Sequence, residues 1–251
     1  MPVSIDKNPV NAPDQAQRNG KVLHREGVAA YERQEYDLAV ALLQDAARTP
    51  EASQWTWLWL SRALLKNGAF AEATAAVEQA LARSPGWSKA ILHQVDIALS
   101  EGRRGRCLAL LEGFILDNAR DPKLLREALK RLVLLPAYPE ALATANLLLV
   151  SEPEDAEALQ TRAVALWKIG EYDGAVEGIA EAAGALPKDW VPSARARYEF
   201  ARKGAVAASR AVDAAREPFD DADLLAELAE ALWSEGHVIR SLSVYDRLLA
   251  L

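Results

Sequence analysis

Apolar positions recur at helical spacing along almost the whole chain, broken by short polar interruptions. Three of these interruptions read alike: Arg33-Gln34-Glu35-Tyr36-Asp37-Leu38-Ala39, Lys66-Asn67-Gly68-Ala69-Phe70-Ala71-Glu72-Ala73 and Lys168-Ile169-Gly170-Glu171-Tyr172-Asp173-Gly174-Ala175. Each gives a turn, an aromatic residue, two further residues and an alanine, and each opens an amphipathic stretch. Two of those stretches close at Pro85 and Pro187, and the first closes one place earlier, at Pro50. Proline cannot continue a helix. The pattern predicts helix–turn–helix pairs and no strands.

The pairs keep a fixed spacing. Starts at Gly20, Gln54, Ser88, Pro122, Ala156 and Trp190 lie 34 residues apart, and a seventh, at Ala222, comes two residues early because the sixth copy has a shortened turn around Gly204. Glycine recurs at the turn (Gly68, Gly102, Gly170, Gly236), where a left-handed backbone ends the first helix. The aromatic recurs as Tyr36, Phe70, Tyr138 and Tyr172, and the small residue as Ala39, Ala73, Ala141 and Ala175. Arg104 replaces the aromatic in the third copy, Pro136 the turn glycine in the fourth, and Arg197 a small residue in the sixth.

This period and these positions resemble the tetratricopeptide repeat. The resemblance implies an all-α, right-handed superhelical solenoid of antiparallel helix pairs over residues 20–251, with seven repeats. The first helix of each pair would line the concave side. Residues 1–19, rich in proline, asparagine and aspartate, are expected to be mostly disordered. The last copy stops on Arg247-Leu248-Leu249-Ala250-Leu251 with no polar cap. That end predicts either further sequence in the natural protein or end-to-end self-association.

Composition narrows the function. The net charge of -7 opposes whole-molecule attraction to nucleic acid. One cysteine, Cys107, allows no intramolecular disulfide, and its repeat position makes it a packing residue. His24, His93 and His237 are too scattered for a metal cluster, and all three are expected on the solvated surface. No signal peptide or membrane span is legible, so the expected location is cytoplasmic. No catalytic motif, cofactor fingerprint or metal set stands out, which predicts a non-enzyme without cofactors. Acid pairs in the inter-repeat loops, such as Asp220-Asp221, are expected to cap the following helix.

The resemblance also assigns repeat positions 2, 5, 9, 12 and 13 to the concave face. Across copies two to six these positions hold Arg62, Lys66, Lys89, Lys123, Arg126, Lys130, Lys168 and Arg202, against the acids Asp96 and Glu157. Trp55, Trp167 and Tyr198 are interspersed among them. A positive groove on a negative body is thus expected, with Trp57 in the core. The chain has no asparagine at position 6, which excludes the family's carboxylate clamp for chaperone tails. The leading expectation is a protein-interaction scaffold that binds an acidic partner segment, with an anionic glycan as another ligand and nucleic acid excluded. The alternative is an N-terminal accessory, substrate-recruiting domain of a longer bacterial glycosyltransferase or sulfotransferase acting on envelope polysaccharide.

Overall fold

A computed structural model describes residues 20–215 and 219–251. The proposed disorder of residues 1–19 lies outside the described residues. Among those residues the secondary structure is fourteen α-helices. The first helices of the repeats are α1 (Gly20–Glu32), α3 (Gln54–Lys66), α5 (Ser88–Ser100), α7 (Pro122–Leu134), α9 (Ala156–Lys168), α11 (Trp190–Lys203) and α13 (Ala222–Ser234). The second helices are α2 (Tyr36–Ala47), α4 (Phe70–Arg83), α6 (Arg104–Asp117), α8 (Tyr138–Ser151), α10 (Tyr172–Ala182), α12 (Ala205–Asp213) and α14 (Val238–Leu249). The first helices α1, α3, α5, α7, α9 and α11 start 34 residues apart, and α13 starts two residues early, at Ala222. The chain divides into two compact units, one ending at Cys107 and the other running from Leu108 to Leu251.

One local bond explains why each first helix stops where it does. Just past the turn, a backbone amide reaches back five residues: Glu35 to the carbonyl of Ala30, Ala69 to Leu64, Arg103 to Ala98, Ala137 to Leu132, Glu171 to Leu166 and His237 to Leu232. This is the bond that closes a helix with a left-handed residue beside it. Gly68, Gly102, Gly170 and Gly236 hold φ between +70° and +91° there. Gln34 holds +64° in the same turn of its own repeat. The sixth copy differs. Gly204, at φ +83°, alone separates α11 from α12, which accounts for the two missing residues.

Each unit packs through the small positions. In the first unit Ala39, Leu43, Leu58, Ala63, Ala73 and Val77 are fully buried in one cluster. In the second, Ala175 and Ile179 pack with Tyr198, and Ala205, Leu224 and Leu228 form a further cluster. Trp57 packs against the first cluster but is only partly buried. Aspartates begin three first helices of the second unit. Asp121 accepts from the Lys123 and Leu124 amides, Asp155 from Ala158 and Asp221 from Leu224. Each satisfies an amide that the first turn leaves free.

Candidate functional site

The predicted concave cations of the first unit, Arg62, Lys66 and Lys89, stand apart from carboxylates. Arg62 lies over the Trp59 ring, 4.8 Å from its centroid, and Lys89 over Trp55 at 4.7 Å. Lys66 is exposed on the same helix as Arg62, one turn on. Among the described residues none of the three pairs with a carboxylate. The rings under them are braced by other aromatics. Trp55 meets Trp87 edge to face at 4.6 Å, and Trp59 meets Tyr31 at 5.3 Å. Trp55 keeps 38% of its surface exposed. An ammonium over an indole face keeps its charge while its stem is held, so it remains available to an anion.

The second unit treats its basic residues differently. Arg126 binds Asp155 at 2.7 Å and also pairs with Glu152. Lys130 sits 3.2 Å from Glu127, whose other oxygen meets Arg131 at the same distance. Arg202 pairs with Asp173 and lies 3.6 Å from Glu199. These three are therefore paired in place, and less free positive charge is left at the predicted groove positions of this unit. Their acids come from the inter-repeat loop, a neighbouring turn or the same helix, outside the concave positions. Only Lys123 and Lys168 of this unit's predicted cations pair with no carboxylate among the described residues. Lys168 lies over Trp167 at 4.3 Å.

Two expectations are corrected. Tyr198 is only 3% exposed and stacks on Trp167 at 5.3 Å, with Trp190 against its edge. It is core, because the neighbouring repeat covers position 9 here, and burial pushes its phenol pKa up. His93 is also buried. Its Nε2 lies 3.0 Å from Ser61 Oγ, and that hydroxyl donates to the Ala73 carbonyl at 2.6 Å. With the hydroxyl proton so placed, His93 donates through Nε2–H. Cys107 is fully buried, and its thiol pKa is raised by burial, as suits a packing residue.

One feature of the concave positions escaped a reading made for charge. Val133 and Leu134 of α7, Tyr138 of α8 and Val164 of α9 line an open cleft of about 500 Å³. Leu134 is 71% exposed and Val133 51%. The signal was present as apolar residues at positions 9, 12 and 13 of copies four and five. Among the described residues no helix is long and apolar enough to cross a membrane, and no group of three His, Cys, Asp or Glu side chains is placed to hold a metal.

The helix pairs, their common closing bond and the buried alanines correspond to a known repeat. A tetratricopeptide repeat model matches residues 30–92. The chain has the all-α, helix-pair fold of tetratricopeptide-repeat proteins. Its fold is similar to that of a tetratricopeptide repeat protein from Parabacteroides merdae, with a TM-score of 0.61, 16% identity and 92% of each chain covered. It is also similar to MamA from Desulfovibrio magneticus RS-1, with a TM-score of 0.53 and 14% identity over 66% of this solenoid and 94% of that chain. MamA AMB-1 gives 0.50 at 19% identity, over 66% and 90%. No curated protein is similar to the solenoid in sequence.

Proposed function

We propose that the solenoid is a non-catalytic scaffold that binds an acidic segment of a partner protein on the first-helix face of its repeats. Arg62, Lys66 and Lys89 of the first unit are the principal contacts, with Trp55 as the exposed aromatic anchor. Lys123 and Lys168, with Trp167, serve the second unit. The observation that carries this reading is that those cations lack carboxylate partners on a chain of net charge -7. Cations gathered on the first-helix face of a unit raise the local concentration of an anionic segment and its association rate. Exposed tryptophan and arginine are the side chains that most often anchor a protein interface. Arg126, Lys130 and Arg202 contribute little, since a ligand carboxylate would have to displace one already in place.

A synthetic peptide of alternating glutamate and glycine, titrated at two salt concentrations, tests the reading. Binding should weaken steeply as the Debye length falls below its value of about 8 Å at physiological salt. The combined variant Arg62→Glu, Lys66→Glu and Lys89→Glu should lose binding while keeping its helical circular dichroism. Unchanged binding by that variant overturns the assignment.

Self-association rests on a separate observation. The last helix, α14, leaves Ile239, Leu242 and Leu249 exposed, the last by 84%. Exposed apolar side chains on one side of a helix favour contact with another copy of the chain. Sedimentation velocity that stays monomeric across the accessible concentration range overturns it.

A further inference from the structure

The cleft in the second unit asks for a ligand unlike the one that suits the basic face. Its lining is largely apolar: Val133 and Leu134 of α7, Tyr138 of α8 and Val164 of α9. Its lining also includes one residue of each charge, Lys130 and Glu157. The two charges are not equally available. Lys130 is held by Glu127 at 3.2 Å. Glu157 is exposed, and among the described residues no cation pairs with it. Gln160, at the cleft wall, likewise has no side-chain hydrogen bond among the described residues. The site therefore offers an apolar hollow, a free amide and a free carboxylate, with no free cation.

We propose that this cleft binds a linear segment of a partner protein in which a leucine- or phenylalanine-sized side chain stands beside a lysine or arginine. The apolar side chain fills the hollow and covers Val133 and Leu134, which solvent now touches. The adjacent cation pairs with Glu157, and the Gln160 amide can bond the segment's main chain. Charge complementarity sets the sign. An acidic flank would meet the Glu157 carboxylate with only the engaged Lys130 to offset it. The cleft is thus a specificity element separate from the free cations Arg62, Lys66 and Lys89, and its test does not depend on them.

The probes are the capped peptide Gly-Gly-Phe-Lys-Gly-Gly and twins with alanine for phenylalanine, and with glutamine or glutamate for lysine. Binding is read from the methyl signals of Val133, Leu134 and Val164 by NMR. The phenylalanine–lysine peptide should shift these signals, and the alanine twin should leave them in place. Glutamine for lysine should raise Kd about two- to fivefold, the range of one exposed ion pair. In Glu157→Gln, a surface change that leaves the fold intact, that difference should vanish while the need for phenylalanine persists. The proposal is overturned by unmoved methyl signals at millimolar peptide. It also fails if the lysine preference survives in Glu157→Gln, or if the glutamate twin binds as well as the lysine peptide.

Discussion

Arg126 places Nη2 2.7 Å from Oδ2 of Asp155, while Oδ1 of the same carboxylate accepts the Ala158 amide at 2.8 Å. One carboxylate thus caps α9 and ties it to α7 of the preceding repeat. Arg197 does the same with Asp221, which caps α13, at 2.8 Å. The arginine that departs from the small-residue pattern in the sixth copy is therefore a staple between repeats. Replacing Asp155 with alanine removes the cap and leaves a half-buried guanidinium without that partner. The expected loss is about 1–2 kcal/mol, read from urea unfolding. Arg126→Ala should cost less, because the cap survives it. Equal losses would contradict the double role.

The same carboxylate sets an acid dependence. Burial alone would raise the pKa of Asp155. The Ala158 amide and the Arg126 guanidinium outweigh it, and the pKa lies below the ordinary aspartate value. A depressed folded-state pKa contributes stability that is present above the unfolded value, near 4, and is lost as pH falls through the folded value. The unfolding midpoint should therefore drop below about pH 4. Asp155→Asn keeps a capping oxygen but cannot ionise, so its curve should fall less steeply over that window. Parallel curves for the two proteins would remove Asp155 from the acid response.

Turn substitutions should act with opposite signs at equivalent places. Gln34 sits at φ +64° and Gly170 at +91°. Gln34→Gly relieves a left-handed backbone and should stabilise by about 0.5–1 kcal/mol, net of the freedom glycine adds to the unfolded chain. Gly170→Ala imposes that strain and should destabilise by about 1–2 kcal/mol. Thermal midpoints of the two variants, measured side by side, check the sign.

The buried alanines limit how closely the helices approach. Ala175 is fully buried against the core of its unit. Leucine there overfills the site and should cost about 1–3 kcal/mol in denaturant unfolding. An unaltered midpoint would mean that the paired helices can part without penalty.

Much of the architecture was legible because its causes are local. The closing bond at each turn spans five residues, and the glycine that permits it sits between the bonded groups. Helical periodicity and a 34-residue spacing then mark where α3, α5, α7, α9 and α11 begin. Tyr198 was misplaced for a physical reason. Its position is concave in the average repeat, but here the Trp167 and Trp190 rings cover it. His93 was missed likewise, since its partner Ser61 lies 32 residues away. The apolar cleft could have been found by reading Val133, Leu134 and Val164 together.

The amino-acid order by itself determined the fold class, the helix boundaries and the buried alanines, because backbone conformation and apolar periodicity act within a few residues. Tertiary structure alone decided which cations remain free. Arg126 meets an acid 29 residues on, whereas Arg62 and Lys89 meet indole rings. A charge falls off with distance through space, not along the chain, so only the folded arrangement distinguishes a neutralised cation from one that awaits a ligand.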